Sequence, residues 1–290
     1  MSRIFDALRK SEKGLQAPAS VTPDTFIETM EKSHSGLGQV GVERARLRPD
    51  HRLVVYSDPQ SLGAERFRLL RARLGHWQAA KKLKTLLVTS ALPQDGKSLV
   101  AANLATALAG QKGCNVLLLE GDLRRRGLRS LLGINAWSGL SECLHEGSDP
   151  LSAIRRIEPL GFFLLPAGKA PTNPVELLQS QRFADVMRGL MPYFDWILID
   201  SPPASPLADT PVLKTHADAT LLVVRAGVTP REEIEEAVQL LGSQHVIGFV
   251  LNAADTLEGS YYKYYQYVGR NGSGTPKARR EKAKGKGAKQ

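Results

Sequence analysis

One passage limits the fold of this chain more than any other. Leu86-Leu87-Val88-Thr89 runs into Ser90-Ala91-Leu92-Pro93-Gln94-Asp95-Gly96-Lys97-Ser98, and an alanine-rich, helix-favouring stretch follows. A Gly-Lys-Ser triplet between an apolar strand and a helix reads as a phosphate-binding loop of the Walker A type. Such a loop surrounds phosphates with backbone N–H groups and the start of a helix. Pro93, Gln94, Asp95, Gly96, Lys97, Ser98 and Leu99 are the candidate contacts. Lys97 would neutralise β/γ-phosphate charge and the Ser98 hydroxyl would bind a cation, so ATP and Mg2+ are the expected ligands. Gly96 lets the backbone turn close to an anion. Ala91 stands where the usual motif has its first glycine.

Around this loop, apolar runs alternate with amphipathic segments. Strands are expected at 85–89, 115–120, 161–165, 196–200, 219–225 and 246–251, with a shorter one at Leu53-Val54-Val55-Tyr56. Helices are expected at 62–80, 98–109, 173–190, 206–215 and 230–241. Several strands are continuously apolar, as when both faces of a sheet are covered. The alternation predicts an α/β fold, a doubly wound and mostly parallel sheet.

Two further strand candidates end in acids. Val116-Leu117-Leu118-Leu119 leads to Glu120-Gly121-Asp122-Leu123-Arg124, and Trp196-Ile197-Leu198-Ile199 leads to Asp200-Ser201-Pro202-Pro203. Ligands of open parallel sheets sit beyond the carboxyl ends of the strands, so both acids are expected to face the phosphates. Asp200 suits a Walker B carboxylate that holds magnesium. Asp122 suits a second magnesium ligand, or the group that orients and deprotonates an attacking hydroxyl. Lys97, Asp122 and Asp200 are thus the candidate catalytic residues, and Ser98, Asp122 and Asp200 the candidate metal ligands.

The net charge of +10 is concentrated in one place. Residues 269–290 hold eight basic residues and one acid, which accounts for +7. A nucleic-acid argument from charge would therefore concern the tail alone, and no reader motif accompanies it, so no nucleic-acid partner is expected. Cys114 and Cys143 form no ligand-spaced cluster and read as small apolar residues in a reducing compartment. No run approaches the roughly 18 apolar residues of a membrane span, and the first residues lack a secretory apolar core. Four regions are expected: a short helix at 1–13 with Ile4, Phe5 and Leu8 on one side, a flexible linker at 14–51, the P-loop domain at 52–258, and a tyrosine-rich basic tail at 259–290.

With these motifs together, the chain resembles the bacterial tyrosine kinases (BY-kinases) of capsule and exopolysaccharide systems. The family's second acidic motif, Walker A′, is an apolar run followed by Asp-x-Asp-x-Arg, and here it reads Glu120-Gly121-Asp122-Leu123-Arg124. Leu165-Pro166-Ala167-Gly168, Pro171-x-Asn173-Pro174-x-Glu176-Leu177-Leu178, Asp209, and Val223-Val224-Arg225-Ala226-Gly227 are also similar to family segments. The resemblance covers roughly residues 52–267. It implies an ATP-dependent tyrosine autokinase that regulates polysaccharide polymerisation and export. Its substrate would be the tail cluster Tyr261, Tyr262, Tyr264, Tyr265 and Tyr267, five of the seven tyrosines.

Glu65, Arg68 and Arg71 fall at i, i+3 and i+6 of the expected first long helix, which alone would read as a salt-bridged stripe. The resemblance implies instead that this Glu-x-x-Arg-x-x-Arg element joins subunits in a ring, so that tails are phosphorylated in trans. It further implies a membrane polysaccharide co-polymerase whose cytoplasmic end activates the kinase, a tyrosine phosphatase, and a cytoplasmic location at the inner face of the plasma membrane. Two other readings use the same sheet. A MinD/ParA-like positioning ATPase would carry an early loop lysine where this chain has Leu92. A catalytically weak P-loop scaffold would be consistent with Ala91 and Glu120, but not with retention of Lys97, Ser98, Asp122 and Asp200.

Overall fold

The computed structural model describes residues 37–135 and 137–254. The helix expected at 1–13, the tyrosine cluster and the basic tail lie outside the described residues. The sheet has eight strands, β1 (Gly41–Arg44), β2 (Thr85–Ser90), β3 (Val116–Glu120), β4 (Arg155–Glu158), β5 (Phe163–Leu165), β6 (Trp196–Asp200), β7 (Ala219–Arg225) and β8 (Val246–Asn252). Their order is β1-β4-β5-β3-β6-β2-β7-β8, and every pair is parallel except β4 with β5. The expected doubly wound α/β architecture is the one found.

The central strands read as unbroken apolar runs because alternate side chains enter two different cores. From β2, Leu86 and Val88 join a layer with Val100, Leu104 and Leu108 of the helix that follows the phosphate loop. Leu87 joins the opposite layer, with Phe183, Leu190, Ala237 and Leu241. β3 and β6 divide in the same way: Leu117, Leu119, Ile197 and Ile199 face one side, and Val116, Leu118, Trp196 and Leu198 the other. A strand's two-residue period thus leaves no position exposed when helices cover both faces.

Ten α-helices accompany the sheet among the described residues: α1 (Val54–Ser57), α2 (Leu62–Lys81), α3 (Lys97–Ala109), α4 (Gly127–Leu132), α5 (Leu140–His145), α6 (Pro150–Ala153), α7 (Pro174–Gln179), α8 (Gln181–Leu190), α9 (Asp209–Lys214) and α10 (Arg231–Leu241). Helix α2 starts where Ser61 accepts a hydrogen bond from the N–H of Ala64 at 3.1 Å. Its inner face carries Ala64, Phe67, Leu74 and Trp77, at helical spacing, into the core that it shares with α3.

Several sequence expectations are corrected. Strand β1 lies inside the segment read as a linker, so the folded body begins before residue 52. Its Gly-Val-Glu-Arg sequence carries no apolar run. As an edge strand it is held by backbone pairing to β4, in a register that joins Gly41 to Arg155. Val54–Ser57 forms a helical turn rather than a strand, despite two β-branched residues. Buried Asn103 of α3 dictates this: its side chain accepts from the N–H of Val55 and donates to the carbonyl of Arg52. The single helix expected at 173–190 is two. Ser180 is extended, and its hydroxyl accepts from the N–H of Phe183 to start α8.

The Glu65, Arg68 and Arg71 stripe finds partners within the chain. Arg68 pairs with Glu65 at 2.8 Å and also donates to the carbonyl of Pro59. Arg71 donates to the carbonyl of Ala107 at 2.8 Å, so a cation sits where the last turn of α3 presents its unpaired carbonyls. Arg71→Ala should lower unfolding free energy by about 1 kcal/mol, measurable by urea denaturation, because it removes a charged hydrogen bond and helix-end compensation together.

Candidate functional site

The phosphate loop is built by its neighbours. Asp95, 2% exposed, accepts from the N–H of Leu92 at 3.0 Å and from the Thr229 hydroxyl at 2.8 Å. That hydroxyl in turn accepts from the N–H of Arg225 at 2.9 Å, which ties the loop to the end of β7. Asn252, at the end of β8, donates its amide to the carbonyl of Asp95 at 2.8 Å. Gly96 has φ +94° and faces that amide so closely that a Cβ would overlap it. Glycine is therefore required here for conformation and for space. Lys97, Ser98 and Leu99 form the first turn of α3, where N–H groups have no acceptor within the helix. Pro93 and Gln94 are exposed at the loop's tip, and Pro93, having no N–H, can only shape the loop. Ala91 is fully buried in the core, a packing position rather than a phosphate contact.

The two acidic strand ends are adjacent. Glu120 and Asp200 are register partners in the β3–β6 pair, and the N–H of Gly121 donates to the carbonyl of Asp200 at 2.8 Å. A Cβ on Gly121 would come within 2.9 Å of Leu213 and 3.2 Å of that carbonyl, so the approach depends on glycine. Two residues further, one oxygen of buried Asp122 accepts from the N–H groups of Arg124 and Arg125, at 3.2 and 2.8 Å. Its other oxygen faces the Lys97 ammonium at 3.8 Å. Loop lysine and acids therefore meet at the carboxyl edge of the sheet.

Asp200 is 1% exposed, and its Oδ1 has no hydrogen-bond partner among the described residues. Burial pushes its carboxyl up to about 6, against the lowering effects of the Lys97 charge and a hydrogen bond from Ser98. An unsatisfied carboxylate oxygen beside a serine hydroxyl and a second carboxylate is a donor set that suits magnesium, a hard cation that takes oxygen ligands.

Glu120 has a different task. Its two oxygens accept from the N–H of Leu128 at 2.9 Å and of Ala167 at 3.0 Å, so it pins the start of α4 and the end of β5. Burial pushes its carboxyl up to about 7, and these two backbone bonds work against the rise. The added methylene relative to Asp is used to span those segments. Arg124 is fastened to fully buried Asp209 at 3.1 Å, which couples the A′ loop to α9. Thr89 and Thr210 both donate to the carbonyl of Pro202 at 2.8 Å and hold the segment after Asp200. The sequence reading did not single out Thr229, Asn252 or Thr210. They lie far along the chain from the motifs they support, and no local pattern marks them.

A parallel sheet with a phosphate loop, its lysine and two acidic strand ends at one edge defines a P-loop nucleotide-binding protein. Residues 85–248 match the family model described as cellulose biosynthesis protein BcsQ. The chain is 30% identical to the tyrosine-protein kinase YwqD of Bacillus subtilis over 75% of its length and 92% of that protein. It is 32% identical to the putative tyrosine-protein kinase CapB of Staphylococcus aureus, over 73% and 94%. The tyrosine-protein kinase wzc of Salmonella typhimurium is 30% identical over 88% of this chain, which spans only 35% of that longer protein. Among solved structures, the chimerical protein CapA2B2 superposes with a TM-score of 0.66 at 27% identity, covering 78% of this chain and 99% of that one. The kinase domain of the Escherichia coli tyrosine kinase ETK gives 0.65 at 25%, covering 84% and 98%. The chain belongs to the bacterial tyrosine-protein kinase family, and its nucleotide-binding core is a BcsQ-like domain. The fold is shared more widely: the cell division ATPase MinD of Pyrococcus furiosus superposes with a TM-score of 0.51 at 25% identity, over 59% of this chain and 74% of that one.

A buried acid with a raised pKa gives the folded state a proton affinity that the unfolded state lacks. Its ionisation therefore destabilises the ligand-free protein as pH rises from the ordinary Asp range through about 6. Asp200→Asn should raise the stability of ligand-free protein at pH 8 by roughly 2–4 kcal/mol and have little effect at pH 4, as measured by thermal melts at both values. The same variant should lose magnesium-dependent ATP binding.

Proposed function

We propose that the chain is an ATP-dependent autokinase that phosphorylates Tyr261, Tyr262, Tyr264, Tyr265 and Tyr267, and that this modification regulates exopolysaccharide or capsule polymerisation and export. The partnerless buried oxygen of Asp200, beside Lys97 and Asp122, carries the reading. Such a set serves phosphoryl transfer, in which catalysis is mostly positioning and charge stabilisation. The N–H groups of the first turn of α3 and the Lys97 ammonium hold the β- and γ-phosphates. Ser98 and Asp200, with Asp122, would hold magnesium, which when bound neutralises charge on those phosphates. Asp122 orients the incoming phenol and accepts its proton as the phenol oxygen bonds to the γ-phosphorus.

The polysaccharide assignment draws on the cellulose-biosynthesis description of the family model and on a relative named as a putative tyrosine-protein kinase in the cps region of Klebsiella pneumoniae. Among the described residues no helix is long and apolar enough to cross a membrane. In this reading a membrane co-polymerase supplies the anchor, its cytoplasmic end activates the kinase at the inner face of the membrane, and a tyrosine phosphatase reverses the modification. Glu65, Arg68 and Arg71 contribute a subunit interface for phosphorylation in trans, with exposed Leu69 on the same helix.

Incubation with magnesium and ATP, with and without the co-polymerase's cytoplasmic segment, should place phosphate on residues 261–267. Lys97→Met should abolish it, as read by phosphosite mass spectrometry. ATP binding with no phosphotyrosine under either condition would end the kinase reading. Glu65→Lys should reduce the sedimentation coefficient of any assembly and change stability by only about 1 kcal/mol, since the pair that it breaks is half-exposed.

A further inference from the structure

A concentrated positive charge follows directly on Asp122. Arg124, Arg125, Arg126 and Arg129 lie within six residues and are all exposed. Arg124 is committed to Asp209. Among the described residues, the side chains of Arg125, Arg126 and Arg129 have no carboxylate or carbonyl partner. The backbone that carries them is well fixed. Asp122 accepts from the N–H of Arg125 at one end, and Glu120 accepts from the N–H of Leu128 near the other. Gly127, between them, borders the phosphate loop: a Cβ built there would lie 3.7 Å from the Ser98 hydroxyl. Three guanidinium groups without such a partner among the described residues thus lie on the loop after Asp122 and the start of α4, at the rim of the phosphate site.

The nucleotide's own phosphates already have Lys97 and the first turn of α3. The surplus cations call for a second anion. The tyrosine segment 261–267 contains one lysine and no acid, so in its unmodified form it has no electrostatic reason to rest on them. Each phosphorylation adds about −1.5 to −2 of charge and oxygens that match the guanidinium fork. The cluster spans six residue steps, about 20 Å when extended, and neighbouring tyrosines are one to two steps apart. A phosphotyrosine held on the arginine loop therefore leaves another tyrosine within reach of Asp122.

We propose that Arg125, Arg126 and Arg129 form a docking site for phosphotyrosine in the tyrosine segment of a second copy of the chain. The site retains a once-phosphorylated segment while a further tyrosine is modified. This rests on the autokinase reading. Each round is the same transfer: the phenol oxygen gains the γ-phosphoryl group, the β–γ P–O bond breaks, ADP leaves, and the phenol proton passes to Asp122. The docked phosphate is not consumed, so the cluster fills in runs rather than in independent events.

Fluorescence anisotropy on the full chain, with magnesium and ADP, measures docking without transfer. Two labelled peptides of residues 258–269 serve as probes, one unmodified and one with phosphotyrosine at position 264. The phosphopeptide should bind about tenfold more tightly, the scale of one charge-assisted bidentate contact. The triple variant Arg125→Gln/Arg126→Gln/Arg129→Gln should erase that difference and leave ADP affinity unchanged. The corresponding Lys variants should retain part of it, since charge remains and the fork is lost. Equal affinities for the two peptides in the unmutated chain, discrimination that survives the triple variant, or a parallel loss of ADP binding would each overturn the docking site. Equal peptide affinities in a chain that autophosphorylates would sink the docking proposal alone, whereas tight phosphopeptide binding without any transfer would sink the autokinase reading and leave the docking site standing.

Discussion

Two carboxylates buried side by side at the carboxyl edge of the sheet set the conditions for everything around them. Glu120 and Asp200 are register partners on adjacent strands, and both resist ionisation because burial removes water from them. Their arrangement is asymmetric. Glu120 spends both oxygens on backbone N–H groups and fixes two loops, whereas Asp200 keeps one oxygen without a partner. One acid ties two loops together, and the other keeps an oxygen open to a further bond. Buried ionisable groups are costly to a fold unless fully paired, so a carboxylate with one partnerless oxygen at the carboxyl edge of the sheet is a cost that the ligand-free fold carries.

The surrounding architecture keeps that edge in shape without crowding it. Gly121 lets two strand ends approach closely enough to share a hydrogen bond, and the Arg124–Asp209 pair carries the A′ loop onto α9. On the other side of β2, Asp95 and Thr229 fasten the phosphate loop to β7. From the β6 side the N–H of Ala204 donates to the carbonyl of Ser90 at 2.8 Å, so the loop is held from both flanks of the strand that bears it. A preset geometry is what phosphoryl transfer demands, because its rate depends on donors already in position.

Much of this was legible in the sequence, for a physical reason. A strand buried on both faces writes itself as an unbroken apolar run, and a phosphate loop or an acidic strand end is a short, contiguous pattern. Lys97, Ser98, Asp122 and Asp200 all sit in such patterns, and in the fold they converge. What was hidden depends on contacts between distant parts of the chain. Strand β1 has no apolar pattern because it is an edge held by backbone bonds, and Val54–Val55 favour a strand until Asn103 turns them into a helix. Asn252 supports a loop 157 residues away, a relation that spacing does not reveal. Arg71 looked like part of a surface stripe, yet it closes the end of α3.

The contact between Gly96 and Asn252 has a consequence for how such a chain can change over generations. The two positions share a volume large enough for only one side chain. Any residue larger than glycine at 96 would have to adopt a φ of +94° that side chains disfavour and also push aside the Asn252 amide, the group that steadies the Asp95 carbonyl. Position 96 thus keeps its glycine under two separate constraints, the backbone angle of the phosphate loop and the last residue of a strand at the edge of the sheet.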